Sequence, residues 1–115
     1  MQDTEQYLMI VEATGSGGGR YFPFWTSTGI TGPWKALADT EGKPFAGRSN
    51  VTSDGGAWTE DISHGEVARA TNDQNLTVPR RGMQYLYQGR SPPAGGNYNT
   101  LPWKLGLLTR TGPTC

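Results

Sequence analysis

Cysteine is almost missing from this chain: the one present, Cys115, is the last of 115 residues. A single cysteine cannot close an internal disulfide, so in an oxidising compartment its partner lies in another chain or outside these residues. Histidine is equally scarce, with His64 alone. No apolar run reaches the length of a transmembrane helix. The opening residues, Met1-Gln2-Asp3-Thr4-Glu5-Gln6, lack the basic-then-apolar order of a signal peptide. Neither sign of charge dominates, since ten basic and ten acidic residues cancel with no basic run and no acidic tail. This argues against a nucleic acid or an anionic membrane as the main partner. A sustained helical period is also absent.

What remains is a chain of turns and aromatics. Seventeen glycines and eight prolines accompany a hydrophobic content of only 34%. Such a composition is shared with disordered chains, but four Trp, five Tyr and three Phe are more than a disordered chain usually carries. The reading is an ordered, turn-rich β protein in one domain. A neutral, polar and aromatic-rich surface suits an uncharged ligand, of which a sugar is one example. Two glycosylation sequons, Asn50-Val51-Thr52 and Asn75-Leu76-Thr77, fit a secreted chain, although sequons arise easily in a sequence rich in Asn and Thr.

Residues 6–13, Gln-Tyr-Leu-Met-Ile-Val-Glu-Ala, form a short apolar run of strand length. The turn Gly15-Ser16-Gly17-Gly18-Gly19 separates it from a second strand, Arg20 to Ser27, with Pro23 at an edge or bulge. Together they predict a β-hairpin. A further short strand is expected over residues 34–38, loop over 39–58, and mixed loop and strand over 57–70. Met83 to Gln88 alternates and predicts a strand. Residues 89–97 read as loop and Leu105 to Thr109 as a last strand. About six short strands fit either a sandwich or part of a propeller.

Four stretches carry a resemblance to glycoside hydrolase family 62. They are Tyr7-Leu8-Met9-Ile10-Val11-Glu12-Ala13 with the glycine turn and Arg20-Tyr21-Phe22, then Trp25-Thr26-Ser27 leading to Gly32-Pro33-Trp34. The third is Asp61-Ile62-Ser63-His64-Gly65-Glu66 with Asn72-Asp73-Gln74. The last is Leu86-Tyr87-Gln88-Gly89 with residues 95–103 and Gly106-Leu107-Leu108-Thr109. In family order and spacing, they cover residues 5–111.

The resemblance implies an all-β fold, part of a five-bladed β-propeller of which residues 1–115 form about the last one and a half to two blades. It implies an α-L-arabinofuranosidase that removes arabinofuranosyl side groups from xylan or arabinoxylan with inversion, and a secreted enzyme. Inversion needs one protonated and one ionised carboxyl about 6.5–9.5 Å apart. By resemblance those carboxyls, and a third that tunes the acid, lie upstream of Tyr7. No catalytic residue is therefore expected in this chain, the N-terminal blades are expected to be missing, and Met1 reads as an internal methionine. Where family members often carry a Cys, before the strand at Met83, this chain has Arg80 and Arg81. A carbohydrate-binding β module without catalysis is the other reading.

The site residues follow from the same resemblance. His64, by default a structural histidine, becomes the candidate ligand of a structural calcium ion in the central channel. Calcium prefers oxygen, so one imidazole is a small part of its shell. Tyr98 and Asn99, after the Gly95-Gly96 lead-in, are the candidate xylan contacts: a flat ring with a hydroxyl, and an amide that donates and accepts. Gln88 is placed near the channel with them. Asp61 and Glu66 are read as a turn cap and a solvated or channel-lining carboxylate rather than an acid/base pair. Of the tryptophans, Trp103 is the one closest to a sugar platform, and Trp25, Trp34 and Trp58 are assigned to the core.

Overall fold

The computed structural model describes residues 1–92 and 94–112. Cys115 lies outside the described residues. Among the described residues nine strands are arranged in three antiparallel sheets. The first sheet contains β1 (Tyr7–Ile10), β4 (Phe24–Ser27), β5 (Lys35–Thr40) and β6 (Lys43–Pro44) in that spatial order. A two-stranded ribbon pairs β2 (Ala13–Thr14) with β3 (Arg20–Tyr21), and the last sheet orders β7 (Ser63–Val67), β8 (Gln84–Gly89) and β9 (Lys104–Thr109). One 3-10 turn, Tyr98–Thr100, is the only helical element among the described residues.

The expected hairpin is present but broken in its middle. Tyr7 pairs with Ser27 and Ile10 with Phe24, while the glycine turn closes the separate Ala13–Tyr21 and Thr14–Arg20 pairs. Proline cannot donate to a ladder, and Pro23 sits where the two ladders separate, offering its carbonyl to Val11 N at 3.2 Å. One boundary needs correction: residues 39–58 are not all loop. Strand β5 starts after Trp34 and runs to Thr40, then turns back into β6. Most of it is exposed, so it carries no apolar alternation for a sequence reading to detect.

The core joins the first sheet to the last. Phe22, Ala46, Ile62, Tyr85 and Tyr87 are buried together. Phe22 and Phe45 meet the Tyr85 ring edge to face at 5.1 and 5.5 Å, and Trp58 stacks on Tyr87 at 5.9 Å. Burial pushes the phenols of Tyr85 and Tyr87 up, and for Tyr85 the negative charge of Glu12 adds to it. Glycine permits the close packing of β8 with its neighbours. A Cβ on Gly65 would lie 2.4 Å from Leu86 O, and one on Gly106 would lie 2.5 Å from the Tyr87 ring. On the opposite face of this sheet Leu86, Leu105 and Leu107 are exposed.

Candidate functional site

The glycine turn brings Arg20 back beneath the segment that precedes β7. There Asp61, buried to 6% exposure, takes hold of it. Asp61 Oδ1 accepts from Arg20 N at 2.9 Å, and Oδ2 lies 3.5 Å from Arg20 Nη1 and 3.6 Å from Arg90 Nε. Asp61 therefore holds two guanidiniums, one from each side of the core. The sequence reading of Asp61 as a turn cap is corrected: Thr59 Oγ1 takes that local role, accepting from Asp61 N at 3.1 Å. Glu66, on exposed β7, pairs with Arg69 at 2.7 Å. The two carboxylates have separate partners and do not form an acid/base pair.

Each guanidinium held by Asp61 covers an aromatic ring. Arg20 lies 5.8 Å from the Tyr98 ring centroid and Arg90 lies 5.9 Å from that of Trp103. The two rings meet edge to face at 5.3 Å, and Trp103 Nε1 donates to Tyr98 O at 3.2 Å. Tyr98 stays 43% exposed. Asn97 caps this turn, its side chain accepting from Asn99 N at 2.9 Å. The outcome is an aromatic corner with a free face, backed by cations that favour the ring quadrupole.

His64 joins the corner from β7. Its Nδ1 lies 3.5 Å from Tyr98 Oη, 3.2 Å from Gln88 Nε2 and 3.0 Å from Ser63 Oγ. Its backbone takes φ +30°, a left-handed value rare for a side-chain-bearing residue. Glu12 Oε2 accepts from His64 N at 2.5 Å and lies 3.6 Å from Nδ1. Thus His64, Gln88 and Tyr98, singled out separately in the sequence, come together. Asn99 sits beside them on the same exposed turn. Glu12, Arg20 and Arg90 were not singled out. They approach the site from 41 to 52 residues away or from a loop, and no local spacing marks them.

The fit to calcium is poor within these residues. Among the described residues no three His, Cys, Asp or Glu side chains surround a common point. Calcium takes about six to eight oxygens; here a single imidazole is backed by one carboxylate already engaged with the backbone.

Comparison with known proteins agrees with the geometry. The model of glycosyl hydrolase family 62 matches residues 1–109. The alpha-L-arabinofuranosidase C of Cellvibrio japonicus is 52% identical over 103 residues, covering 90% of this chain and 16% of the relative. The catalytic domain of the Coprinopsis cinerea family 62 α-L-arabinofuranosidase superposes with a TM-score of 0.92 at 56% identity, over 96% of this chain and 35% of the other. The Podospora anserina α-L-arabinofuranosidase, solved with cellotriose, gives 0.92 at 46% identity with the same coverage. A family 62 hydrolase solved with xylotriose gives 0.88 at 50% identity, over 95% of this chain and 34% of the other. The chain thus spans about a third of the solved relatives and 16% of the curated one. Its sheets belong to the β-propeller-like fold of those solved structures, and the chain belongs to glycoside hydrolase family 62.

Proposed function

We propose that this chain supplies the xylan-contacting part of a secreted α-L-arabinofuranosidase, one that removes arabinofuranosyl side groups from xylan or arabinoxylan by inverting hydrolysis. The observation that carries the proposal is the Tyr98–Trp103 corner, held from behind by Arg20 and Arg90 and open in front, in a chain of this family. An uncharged sugar is gripped by ring faces and hydrogen bonds, and the corner offers the Tyr98 ring and hydroxyl with Asn99 beside them. Two relatives were solved with cellotriose and xylotriose, which supports an oligosaccharide as the class of ligand.

The acid and base of the reaction are assigned to residues outside this chain. The carboxylates near the corner are committed elsewhere: Asp61 to two arginines, Glu12 to His64 N and Arg20, Glu66 to Arg69. A general acid must release its proton to the leaving oxygen, and a general base must face a water. None of these three is free for either task. His64 Nδ1 already faces Ser63, Gln88 and Tyr98, so only its Nε2 would be open to a channel calcium ion, whose oxygen ligands the described residues do not supply. The two sequons differ. Asn50 spends its side chain on Gly47 N, Pro44 O and Phe45 O, whereas Asn75 lies exposed and serves as the acceptor compatible with this fold.

The test is a hybrid ring in which this chain replaces the matched third of the Coprinopsis cinerea domain. The hybrid is expected to release arabinose from arabinoxylan, to lose affinity on Tyr98→Ala, and the chain alone is expected to release none. A hybrid that melts cooperatively yet is silent refutes the enzyme reading. Release by the chain alone places the acid and base inside it.

A further inference from the structure

Resting on the proposed role of Tyr98, we propose that Glu12 is a positioning residue: it holds His64 and Arg20 together so that they fix Tyr98 for sugar contact. Glu12 lies in the gap between β1 and β2, where the two ladders of the hairpin separate. Its side chain therefore leaves the first sheet and crosses to β7 rather than flanking a paired neighbour.

What it meets there is a bulge. On β7, Ser63 pairs with Gln88 and Gly65 with Tyr87, so His64 is the extra residue without a partner on β8. A bulged residue sits outside the ladder pairing and re-aims its side chain. Glu12 Oε2 takes the His64 N–H at 2.5 Å and lies 3.4 Å from the Oγ of fully buried Ser63. The left-handed φ of +30° at His64 persists only where its surroundings over-determine it, and the Glu12 carboxylate is the group that does so. Turned this way, His64 carries Nδ1 to Tyr98 Oη and to Gln88.

The other oxygen reaches Arg20. Glu12 Oε1 lies 3.8 Å from Arg20 Nε, and the same guanidinium covers the Tyr98 ring. The hydroxyl of Tyr98 is thus addressed through His64 and its ring through Arg20. Asp61 also holds Arg20, but Glu12 is the group in contact with both. An exposed ion pair in isolation contributes little. A carboxylate 29% exposed, shared between a strained backbone N–H and a guanidinium, has a directional task instead.

The experiment is a double-mutant cycle in the hybrid ring with arabinoxylan as substrate. Glu12→Ala is expected to raise KM about tenfold, the scale of one or two lost hydrogen bonds, with kcat held, because only binding is affected. Tyr98→Ala raises KM by a similar or larger factor, and the double variant is no worse than Tyr98→Ala alone. Glu12→Gln, whose amide oxygen still accepts the His64 N–H, restores most of the affinity. If Glu12→Ala does not fold, the cycle runs with Glu12→Asp, whose shorter side chain withdraws the carboxylate from His64 N and Arg20 and whose rise in KM must likewise vanish in the Tyr98→Ala background. Effects that multiply in the double variant, an unchanged KM, or a loss confined to kcat overturn the inference. If Tyr98→Ala itself leaves KM unchanged, the sugar-contact role of Tyr98 fails first and the inference with it.

Discussion

Asp61→Asn tests the arrangement behind the aromatic corner most directly. The amide matches the carboxylate in shape, so the change removes charge and leaves packing intact. The orientation of the amide follows from its partners. Arg20 N needs an acceptor at 2.9 Å, so the amide oxygen takes the place of Oδ1 and the NH2 group replaces Oδ2. That NH2 then faces Arg20 Nη1 and Arg90 Nε, which lay 3.5 and 3.6 Å from the lost charge. Arg90 Nε is buried with no hydrogen-bond partner of its own, so donor now opposes donor. At an effective dielectric constant of about 20, each contact at this distance is worth at most about 4–5 kcal/mol. The two arginine side chains remain 26% and 29% exposed, and water together with the relieved burial cost of Asp61 cancels much of that. A net destabilisation of about 2–3 kcal/mol is expected, below the range of about 3–5 for breaking a fully buried pair. In the hybrid ring, a domain about three times the length of this chain, this lowers the melting temperature by roughly 3–5 °C, measured by differential scanning calorimetry. Asp61→Ala, which also leaves Arg20 N without its acceptor, costs about 1–3 kcal/mol more. Equal melting temperatures for wild type and Asp61→Asn would refute the reasoning.

The same hybrid serves three further predictions. The raised phenols of Tyr85 and Tyr87 leave stability unaffected below the unfolded value near pH 10; above it the unfolded chain ionises first, so stability falls as pH rises, and Tyr85→Phe flattens that fall in a series of melts from pH 8 to 11.5. Asn50→Ala strands Gly47 N and two carbonyls and costs about 1–3 kcal/mol by urea denaturation, whereas Asn75→Ala is close to neutral. Gly65→Ala drives a methyl into Leu86 O and the Tyr85 ring and costs about 1–3 kcal/mol or more, with a loss of substrate affinity because His64 is the next residue.

The strands that pack on both sides of the core were legible. Residues 84–89 alternate exposed and buried as their sequence alternates, with Tyr85 and Tyr87 inward. Strand β5 was only partly legible, since a strand with little burial carries no apolar code. The apolar run Leu105-Gly106-Leu107-Leu108 marked β9 correctly, but it could not say that Leu105 and Leu107 face outward here. At the site, family resemblance supplied His64, Tyr98 and Asn99, and the fold adds the distances joining His64 to Tyr98. It could not supply Glu12 or the grip of Asp61 on Arg20 and Arg90. Those contacts depend on how the broken hairpin lies against β7, a tertiary relation that no spacing encodes.

The charges around the corner show why a chain of zero formal net charge places so many ions beside a surface proposed for a neutral ligand. Glu12 and Asp61 face Arg20 and Arg90, two negative groups against two positive ones. The set balances internally and presents no net charge to an incoming sugar, so it neither attracts nor repels anions over long range. Its task is orientation. Tyr98 sits on the exposed 3-10 turn and half-buried Trp103 lies just beyond it, and an exposed aromatic on such a turn is otherwise free to change rotamer. A cation behind each ring favours one ring plane, and the carboxylates fix the cations. Replacing Arg90 by Met keeps an apolar stem against Trp103 and removes the cation. If the charge set is there to orient the rings, the Arg90→Met hybrid retains its fold but loses oligosaccharide affinity, by about the two- to fivefold that one exposed cation–π contact of roughly 0.5–1 kcal/mol implies. Affinity for xylotriose measured by calorimetry decides it, and an unchanged affinity assigns the arginines to stability alone.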